Sequence, residues 1–360
     1  MGSTWNIDKC RDAFGMEHPV IQAPMAGGAT TPALVAAVCN AGALGSFGAA
    51  YLKPDRIADQ ICRVRALTSR PFNVNIFAGG YETDFVGDAH EMLDLLSEIH
   101  AILGLPIPEL PLLPPDPFDD QLEVILNARP PVMSFTFGFP DRVAMNRIKA
   151  HGIKVIGTAT TAVEARFVEQ AGADAVVAQG SEAGAHRGTF LGSFESAMVP
   201  TIALVEQIRR EVSIPVISSG GMMDGRDIAE SIKHGAVAAQ LGTAFLACDE
   251  SGVSDSYKEA LLTVGQDRTM ITRAFSGRPA RGIANAFTEK LVGREEIILP
   301  YPLQNVLTRP MRKAAAREGE PGYQSLWAGQ GVARVRDMKA ADLVLALAKE
   351  IDDEGGSNHL

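Results

Sequence analysis

One histidine of this chain lies in a loop whose composition is suited to chemistry. The stretch QGSEAGAHRGTF (179–190) follows a short apolar run and places His186 among Gly180, Gly184 and Gly188. An imidazole is the side chain best suited to acid–base catalysis near neutral pH, and glycines leave space for a ligand beside it. The sequence therefore predicts that His186 is a catalytic acid or base. A metal ligand and a purely structural histidine stay open as alternatives. The other six histidines are expected at the surface or at helix ends: His18, His90, His100, His151, His234 and His359.

Two further glycine loops have the composition of an anion site. Ser219-Gly220-Gly221 and Gly242-Thr243 each follow a short apolar run, and Gln240-Leu241 leads into the second loop. Glycines let backbone N–H groups approach a phosphate without a Cβ atom in the way. The two loops together predict a phosphate-binding site. The alternative is that the glycines only close two tight turns.

The missing motifs narrow the choice of phosphate ligand. The chain has no GxxxxGK[ST] motif and no GxGxxG after its first apolar run, which disfavours a P-loop nucleotide and a Rossmann dinucleotide. FMN fits better, because small residues after the first run leave space for a flat ring, and amides near two other runs could bond its edge. For Asn75 a structural hydrogen bond is the alternative. The residues predicted to contact FMN are Ala23, Pro24, Met25, Asn75, Gln179, Gly180, Gly184, Ser219, Gly220, Gly221, Gln240, Leu241, Gly242 and Thr243.

Eight short apolar runs without polar alternation predict the elements that position these loops. Such runs are typical of parallel strands buried on both faces, and helical segments with capping residues separate them. Eight strand–helix units predict an α/β fold, a (β/α)8 TIM barrel with a smaller lid domain inserted after strand eight, with a doubly wound open sheet as the competitor. The predicted strands are 19–23, 43–47, 72–77, 132–137, 153–158, 173–179, 214–219 and 237–242.

Two regions do not fit the repeat. Residues 104–120 are rich in proline and are expected to wrap the surface before a helix at 121–128. The longer region after the eighth strand predicts an insertion over the barrel mouth. The expected domains are 1–246 (barrel, FMN-binding), 247–303 (inserted substrate or lid region) and 304–360 (return to the barrel and C-terminal helix).

Composition excludes several classes of function. The net charge is −10, with scattered basic residues, which argues against nucleic-acid binding. The four cysteines form no CxxC pair, so neither a metal site nor a disulfide framework is expected, and Cys39 and Cys62 are predicted to be buried thiols. The sequence shows neither a signal-peptide pattern nor a membrane span, so we expect a cytoplasmic protein. A homodimer is an option that the sequence leaves open.

Five stretches of the chain resemble the nitronate monooxygenases, formerly called 2-nitropropane dioxygenases. The stretch around the histidine, EAGAHRG, is the most specific, although many relatives have EAGGHRG where this chain has Ala185. The resemblance spans nearly the whole chain. The other four stretches are QAPMAGGATTPALVAAVCNAGALGSFGAAY, NVNIF, PVISSGGMMDGRDIAESIKHGAVAAQLGTAF and YQSLWAGQGV.

The resemblance implies an FMN enzyme that oxidises alkyl nitronates with O2 to a carbonyl compound and nitrite. It implies that His186 is the base that lets some members take a proton from a neutral nitroalkane. Tyr301 and Lys313 are expected to hold the substrate oxygens, with plain packing as the alternative for Tyr301.

Other functions on the same barrel stay open. An NAD(P)H-dependent flavin reductase of the enoyl-ACP reductase or quinone reductase type would keep the glycine loops and the histidine. An IMP-dehydrogenase-like barrel would need a reactive cysteine in the loop after strand six, and that loop has none. A flavin-binding module without catalysis would leave His186 without a purpose.

Overall fold

Eight parallel strands form a barrel in this computed structural model, which describes residues 7–81, 85–113 and 115–356. The strands are hydrogen-bonded in the order β1-β9-β8-β6-β5-β4-β3-β2. A parallel bridge between Ile21 and Leu44 joins the two ends of this sheet and closes the barrel. The barrel strands are β1 Val20–Gln22, β2 Ser46–Gly48, β3 Asn73–Phe77, β4 Val132–Thr136, β5 Lys154–Ala159, β6 Ala175–Gln179, β8 Val216–Ser219 and β9 Ala238–Leu241.

All eight predicted strands are confirmed, and their burial explains why the sequence shows no polar alternation. Side chains on one face fill the barrel interior, where Ile21, Val177 and Ile217 pack together above Phe14. Side chains on the other face, such as Val176, pack against the surrounding helices. A strand that is apolar on both faces is stable only between two layers, and the barrel supplies both.

The helices begin where the sequence provides a cap. Thr161 and Asp224 accept a backbone hydrogen bond at the N-termini of α7 and α9, as expected from the sequence. The C-terminal helix α14 packs against α9 and α2 and so serves as the last barrel helix. The helices are α1 Ile7–Phe14, α2 Pro32–Asn40, α3 Pro54–Leu67, α4 His90–Ile102, α5 Phe118–Ala128, α6 Arg142–Ala150, α7 Ala162–Gln170, α8 Thr201–Glu211, α9 Gly225–Lys233, α10 Asp255–Thr263, α11 Ala286–Lys290, α12 Leu303–Leu307, α13 Arg309–Glu318 and α14 Ala340–Gly356.

A small antiparallel sheet lies outside the barrel. It consists of β10 Thr269–Thr272, β11 Ala280–Ile283 and the two-residue strand β7 Ala185–His186. A separate apolar cluster joins the region after β11 to α4, and it includes residues of α12 and α13. We therefore propose that the lid extends beyond the expected limits of 247–303 and takes in α12 and α13.

His100 lies in the last turn of α4, at a helix end as expected. It is nevertheless only 4 % exposed, and its Nδ1 lies 2.6 Å from the carbonyl oxygen of Pro106, so it fixes the proline-rich segment to α4. One expectation about a single residue is wrong. Cys62 is exposed on α3, whereas Cys39 is buried as expected. Helix α3 is amphipathic, and Cys62 lies on its outer face. The helical period assigns a residue to the inner or the outer face only when the bounds of the helix are known. His359 lies outside the described residues.

The contact between α9 and α14 can be tested by adding a methyl group at Gly225. A Cβ atom added at Gly225 would lie 2.3 Å from Cβ of Glu350 and 2.7 Å from the α14 backbone. Gly225→Ala should therefore lower the apparent melting temperature, because overpacking costs about 1–3 kcal/mol. Gly265→Ala is the matched control, since a Cβ atom there meets nothing within 4 Å. Equal melting temperatures for the two variants would contradict the tight packing of α14.

Candidate active site

A cavity of about 830 Å³ opens at the carboxyl ends of the barrel strands. This is the end at which barrel enzymes place their chemistry. Fifteen of the residues predicted from the sequence line it: Ala23, Pro24, Met25, Asn75, Gln179, Gly184, His186, Ser219, Gly220, Gly221, Gln240, Leu241, Gly242, Thr243 and Lys313. Gly180 and Tyr301 do not line it. A Cβ atom at Gly180 would meet Thr201 instead, and Tyr301 is 7 % exposed.

The two glycine loops lie side by side on β8 and β9, which are hydrogen-bonded neighbours. Gly220 and Gly221 have φ values of +135° and +74°, which side-chain-bearing residues rarely adopt. The backbone N–H groups of Gly220, Gly221 and Gly242 donate to no acceptor among the described residues. Unpartnered donors of this kind form a concave site that favours an anion.

The histidine loop is held by a clamp at the end of β6. The side-chain amide of Gln179 donates from Nε2 to the carbonyl oxygen of His186 (3.0 Å) and accepts at Oε1 from the N–H of Gly188 (2.7 Å). Sequence reasoning assigned this amide to the cofactor. In the structure its bonds fix the backbone on both sides of His186, so its first role is to position the histidine.

Two buried charged side chains complete the support of this loop. Arg187, 1 % exposed, donates to the carbonyl oxygens of Gln179 and Ala197, at 3.0 Å each. Glu164 is fully buried, and its carboxylate accepts from the backbone N–H groups of Phe190 (2.6 Å) and Leu191 (2.8 Å). A buried charge is tolerated only when hydrogen bonds replace its hydration. Both oxygens of the Glu164 carboxylate accept hydrogen bonds, and both terminal nitrogens of Arg187 donate them, although Nε of Arg187 has no partner among the described residues. The loop is therefore rigid on both sides of the histidine.

Ala185 has a left-handed backbone, with φ = +61°. A Cβ atom in this region costs roughly 1–2 kcal/mol, so the loop is strained at this residue. The strain is opposed by β7–β11 pairing, in which Ala185 lies opposite Arg281 and His186 opposite Ala280.

The imidazole of His186 lies among aromatic rings and one hydroxyl. Its ring centroid is 5.6 Å from Phe137, 5.5 Å from Trp327 and 6.2 Å from Tyr301. Its Nε2 lies 2.8 Å from Oγ of Ser276. Burial, followed by the positive charges of Arg278 and Arg312, lowers the pKa of His186 from 6.5 to about 3. The imidazole is thus neutral at physiological pH and can accept a proton.

The cavity is cationic although the protein is acidic. Arg312 and the exposed Arg309 and Lys313 line it from α13, and Arg56 and Arg63 line it from α3. Among the residues that the structure describes, no Asp or Glu side chain lines this cavity. Burial lowers the pKa of Arg312 to about 10, which leaves it charged at neutral pH. Uncompensated positive charge of this density favours an anionic ligand.

Asn75 is held by its neighbours on the barrel wall. Its Nδ2 donates to Oγ of Ser134 (2.9 Å) and lies 3.4 Å from Oγ1 of Thr136. Asn75 nevertheless lines the cavity, so a structural bond and a ligand contact are both available to it.

Tyr301 packs against neighbouring aromatic side chains and does not line the cavity. It lies edge-on to Phe137 at 5.7 Å, and burial raises its pKa above the usual range, so its hydroxyl stays protonated. The neighbouring Tyr51 does line the cavity.

Sequence reasoning missed several of the residues that line the cavity or touch His186. Tyr51 follows β2, so applying the rule of reading beyond each strand end to all eight strands would have found it. Phe137 was predicted as the last residue of its strand, whereas β4 ends at Thr136 and Phe137 begins the loop. Phe137 has φ = +68°, which is rare for an aromatic residue and typical of functional sites. Ser276 and Trp327 carried no such signal. Among the described residues, no group of three His, Cys, Asp or Glu side chains could hold a metal ion.

Comparison with known proteins shows the family of this chain. The sequence model of the family described as nitronate monooxygenase matches residues 9–350. The chain belongs to the nitronate monooxygenase family, and it is an oxidoreductase. A protein named "probable nitronate monooxygenase" from Staphylococcus aureus (strain JH9) is 43% identical over 327 residues, which are 91% of this chain and 92% of that protein.

Two solved structures extend this likeness to the whole fold. A nitroalkane oxidase from Streptomyces ansochromogenes is similar with a TM-score of 0.89 at 43% identity, covering 97% of this chain and 99% of that one. FabK from Thermotoga maritima is similar with a TM-score of 0.76 at 31% identity, covering 97% of each chain. No helix among the described residues has the length and apolar character needed to cross a bilayer.

The strain at Ala185 can be measured directly. Ala185→Gly should raise the free energy of unfolding by about 1 kcal/mol, because glycine adopts a positive φ without a Cβ clash. Chemical denaturation of the two proteins checks this. A variant that is no more stable than the parent would show that the loop conformation carries no strain.

The neutral state of His186 gives a pH-dependent stability. The pKa is 6.5 in the unfolded chain and about 3 in the fold, so between these values the unfolded state binds one proton more. The stability that neutral His186 permits is fully present above pH 6.5 and is lost as the pH falls toward 3. His186→Gln should therefore lose less melting temperature than the parent between pH 7 and pH 4.5. A variant of the exposed His90 is the control, and equal losses in all three proteins would refute the assignment.

Proposed function

We propose that this protein uses FMN to oxidise alkyl nitronates, and also neutral nitroalkanes, with O2 to a carbonyl compound and nitrite. The observation that carries the proposal is a neutral imidazole at a cationic cavity beside two glycine loops with unpartnered N–H groups. Membership of the nitronate monooxygenase family and likeness to a nitroalkane oxidase support the same reaction.

The residues of the cavity fit FMN. The N–H groups of Gly220, Gly221 and Gly242 would hold its phosphate, in the loops where barrels often bind one. A Cβ atom at Gly242 would be in van der Waals contact with Cβ of Ala23 (3.6 Å) and Sδ of Met25 (3.7 Å), so glycine leaves the backbone N–H of this loop uncovered on the cavity side. Asn75 and Gln240 present amides to the same cavity. When bound, FMN would supply the redox chemistry, taking electrons from the nitronate and passing them to O2.

The cations explain how the chain would choose its substrate. A nitronate is a delocalised anion, and Arg309, Arg312 and Lys313 would attract it and hold its oxygens. Aromatic side chains around His186 would reduce the water beside a bound nitronate, which would strengthen these charge interactions. Lys313 therefore keeps its predicted substrate role, whereas Tyr301 would act by packing behind the ring of His186.

His186 would take the proton from a neutral nitroalkane. Its lowered pKa keeps the imidazole unprotonated, and the nitronate that forms is an anion beside the new imidazolium. The resulting ion pair stabilises both charges within the cavity, which compensates for the weak basicity of the free side chain. A pre-ionised nitronate would need no such proton transfer.

His186→Asn should separate the two substrates. Activity on neutral nitroalkanes should fall by roughly 10²–10⁴-fold, the usual contribution of a positioned base. Activity on the pre-ionised nitronate should fall much less, and the purified variant should stay yellow. Nitrite release from each substrate is the measurement. Unchanged activity on the neutral substrate would remove the base assignment.

Gly242→Val tests the phosphate loop. The added Cβ atom would contact Ala23 and Met25 without a clash, so the fold should be preserved, while a side chain beside the loop N–H groups should weaken the retention of FMN. The flavin absorbance per protein and the circular dichroism spectrum are measured together. A folded variant that purifies with full flavin content would argue against this loop as the phosphate site.

Anaerobic mixing decides between this function and the reductase alternative. A nitronate should bleach the yellow protein, and NADH or NADPH should not. Rapid bleaching by a reduced nicotinamide alone would favour a reductase. The cytoplasmic location and a homodimeric state stay predictions from the sequence.

A further inference from the structure

We propose that Ser276 is a positioning residue that keeps the proton of neutral His186 on Nε2, so that Nδ1 is the atom that accepts the substrate proton. The inference rests on the proposed function, and it adds a residue from the inserted region to the base on the barrel loop. Ser276 is 1 % exposed and lies 90 residues after His186 in the chain.

The hydroxyl of Ser276 has three partners. Its Oγ lies 2.8 Å from Nε2 of His186, 3.1 Å from the carbonyl oxygen of Arg278 and 3.3 Å from the backbone N–H of Arg278. The backbone N–H can only donate, and the carbonyl can only accept. A hydroxyl has one proton to donate and two lone pairs that accept.

These three contacts can all be hydrogen bonds in one arrangement. The hydroxyl donates to the carbonyl of Arg278 and accepts from the backbone N–H, and its second lone pair accepts a proton that His186 carries on Nε2. If the hydroxyl donated to Nε2 instead, the bond to the carbonyl would be given up. In a buried site the arrangement with three bonds is favoured, because an unmade hydrogen bond costs about 1–3 kcal/mol.

The tautomer decides what the imidazole can do. With the proton on Nε2, the lone pair is on Nδ1, for which the structure shows no hydrogen bond among the described residues, while His186 itself lines the cavity. When the C–H bond of a nitroalkane breaks, its electron pair stays on the substrate as the nitronate, and the proton forms a bond to Nδ1. The Nε2–H bond to Ser276 persists through this transfer. In the other tautomer Nδ1 carries a proton and cannot act as a base.

The turn that carries Ser276 is held in place by α12 and the residue after it. Nε2 of Gln304 donates to the carbonyl oxygen of Ala274, and Oγ1 of Thr308 donates to that of Phe275, at 2.6 Å each. Both side chains are fully buried. The hydroxyl is thus positioned by the lid and not by the barrel. If the lid were displaced, Ser276 would no longer hold the proton of His186 on Nε2.

The direct test is the nitrogen NMR spectrum of His186 in the FMN-bound protein labelled with ¹⁵N-histidine. His186→Asn identifies the signal. We expect a protonated Nε2 and an unprotonated Nδ1 at pH 7. A proton on Nδ1, or a doubly protonated ring, would overturn the proposal, and this result does not depend on which reaction the enzyme catalyses.

Kinetics of three variants provide the second test. Ser276→Ala should lower kcat/KM for a neutral nitroalkane by roughly 10²-fold, within the range of a lost general base, and change that for the nitronate far less. Ser276→Thr, which keeps the hydroxyl, should retain the activity on the neutral nitroalkane. Ser97→Ala, which removes a hydroxyl on α4, is the matched control. Equal losses on both substrates in folded Ser276→Ala would overturn a tautomeric role. If neither substrate reacts with the parent, the proposed function fails, and the NMR result still decides the tautomer.

Discussion

The hydrogen bonds of one side-chain amide fix the loop that carries His186, the proposed base. Gln179 ends β6, and its amide bonds the backbone on both sides of His186. A barrel strand is rigid because its neighbours bond it on both sides, and the amide transfers that rigidity to a loop that glycines would otherwise leave mobile. Arg187 and Glu164 bond the rest of the loop from the protein interior. The imidazole is therefore positioned before any ligand arrives, which reduces the cost of organising the site during the reaction.

The fold could be predicted because each strand carries its own signal. The run AVVA (175–178) places apolar side chains on both faces of its strand whatever its neighbours are. Thr161 and Asp224 each cap a helix by local chemistry alone. The cavity-lining residues that follow the strands could be predicted for the same reason. The order of strand and loop along the chain fixes the end of the barrel at which they lie.

The rest of the site depends on contacts between distant segments. Ser276, Trp327 and Arg312 approach His186 or its cavity from a region whose path over the barrel no periodicity reveals. The hydrogen bonds of Gln179 to its own loop could not be predicted for a related reason, since the sequence shows an amide at a strand end but not its partners. Ala185 is an exception. The departure from glycine was visible in the sequence, and the structure adds that its φ is +61°.

The pairing of β7 with β11 joins His186, the proposed base, to the inserted region. His186 lies opposite Ala280, and the two segments are connected through backbone bonds as well as through Ser276. A hinge movement that lifted residues 269–283 away would break these bonds or pull the imidazole along with them. The covering segment and the imidazole are therefore mechanically coupled in this fold, and the position of one constrains the position of the other.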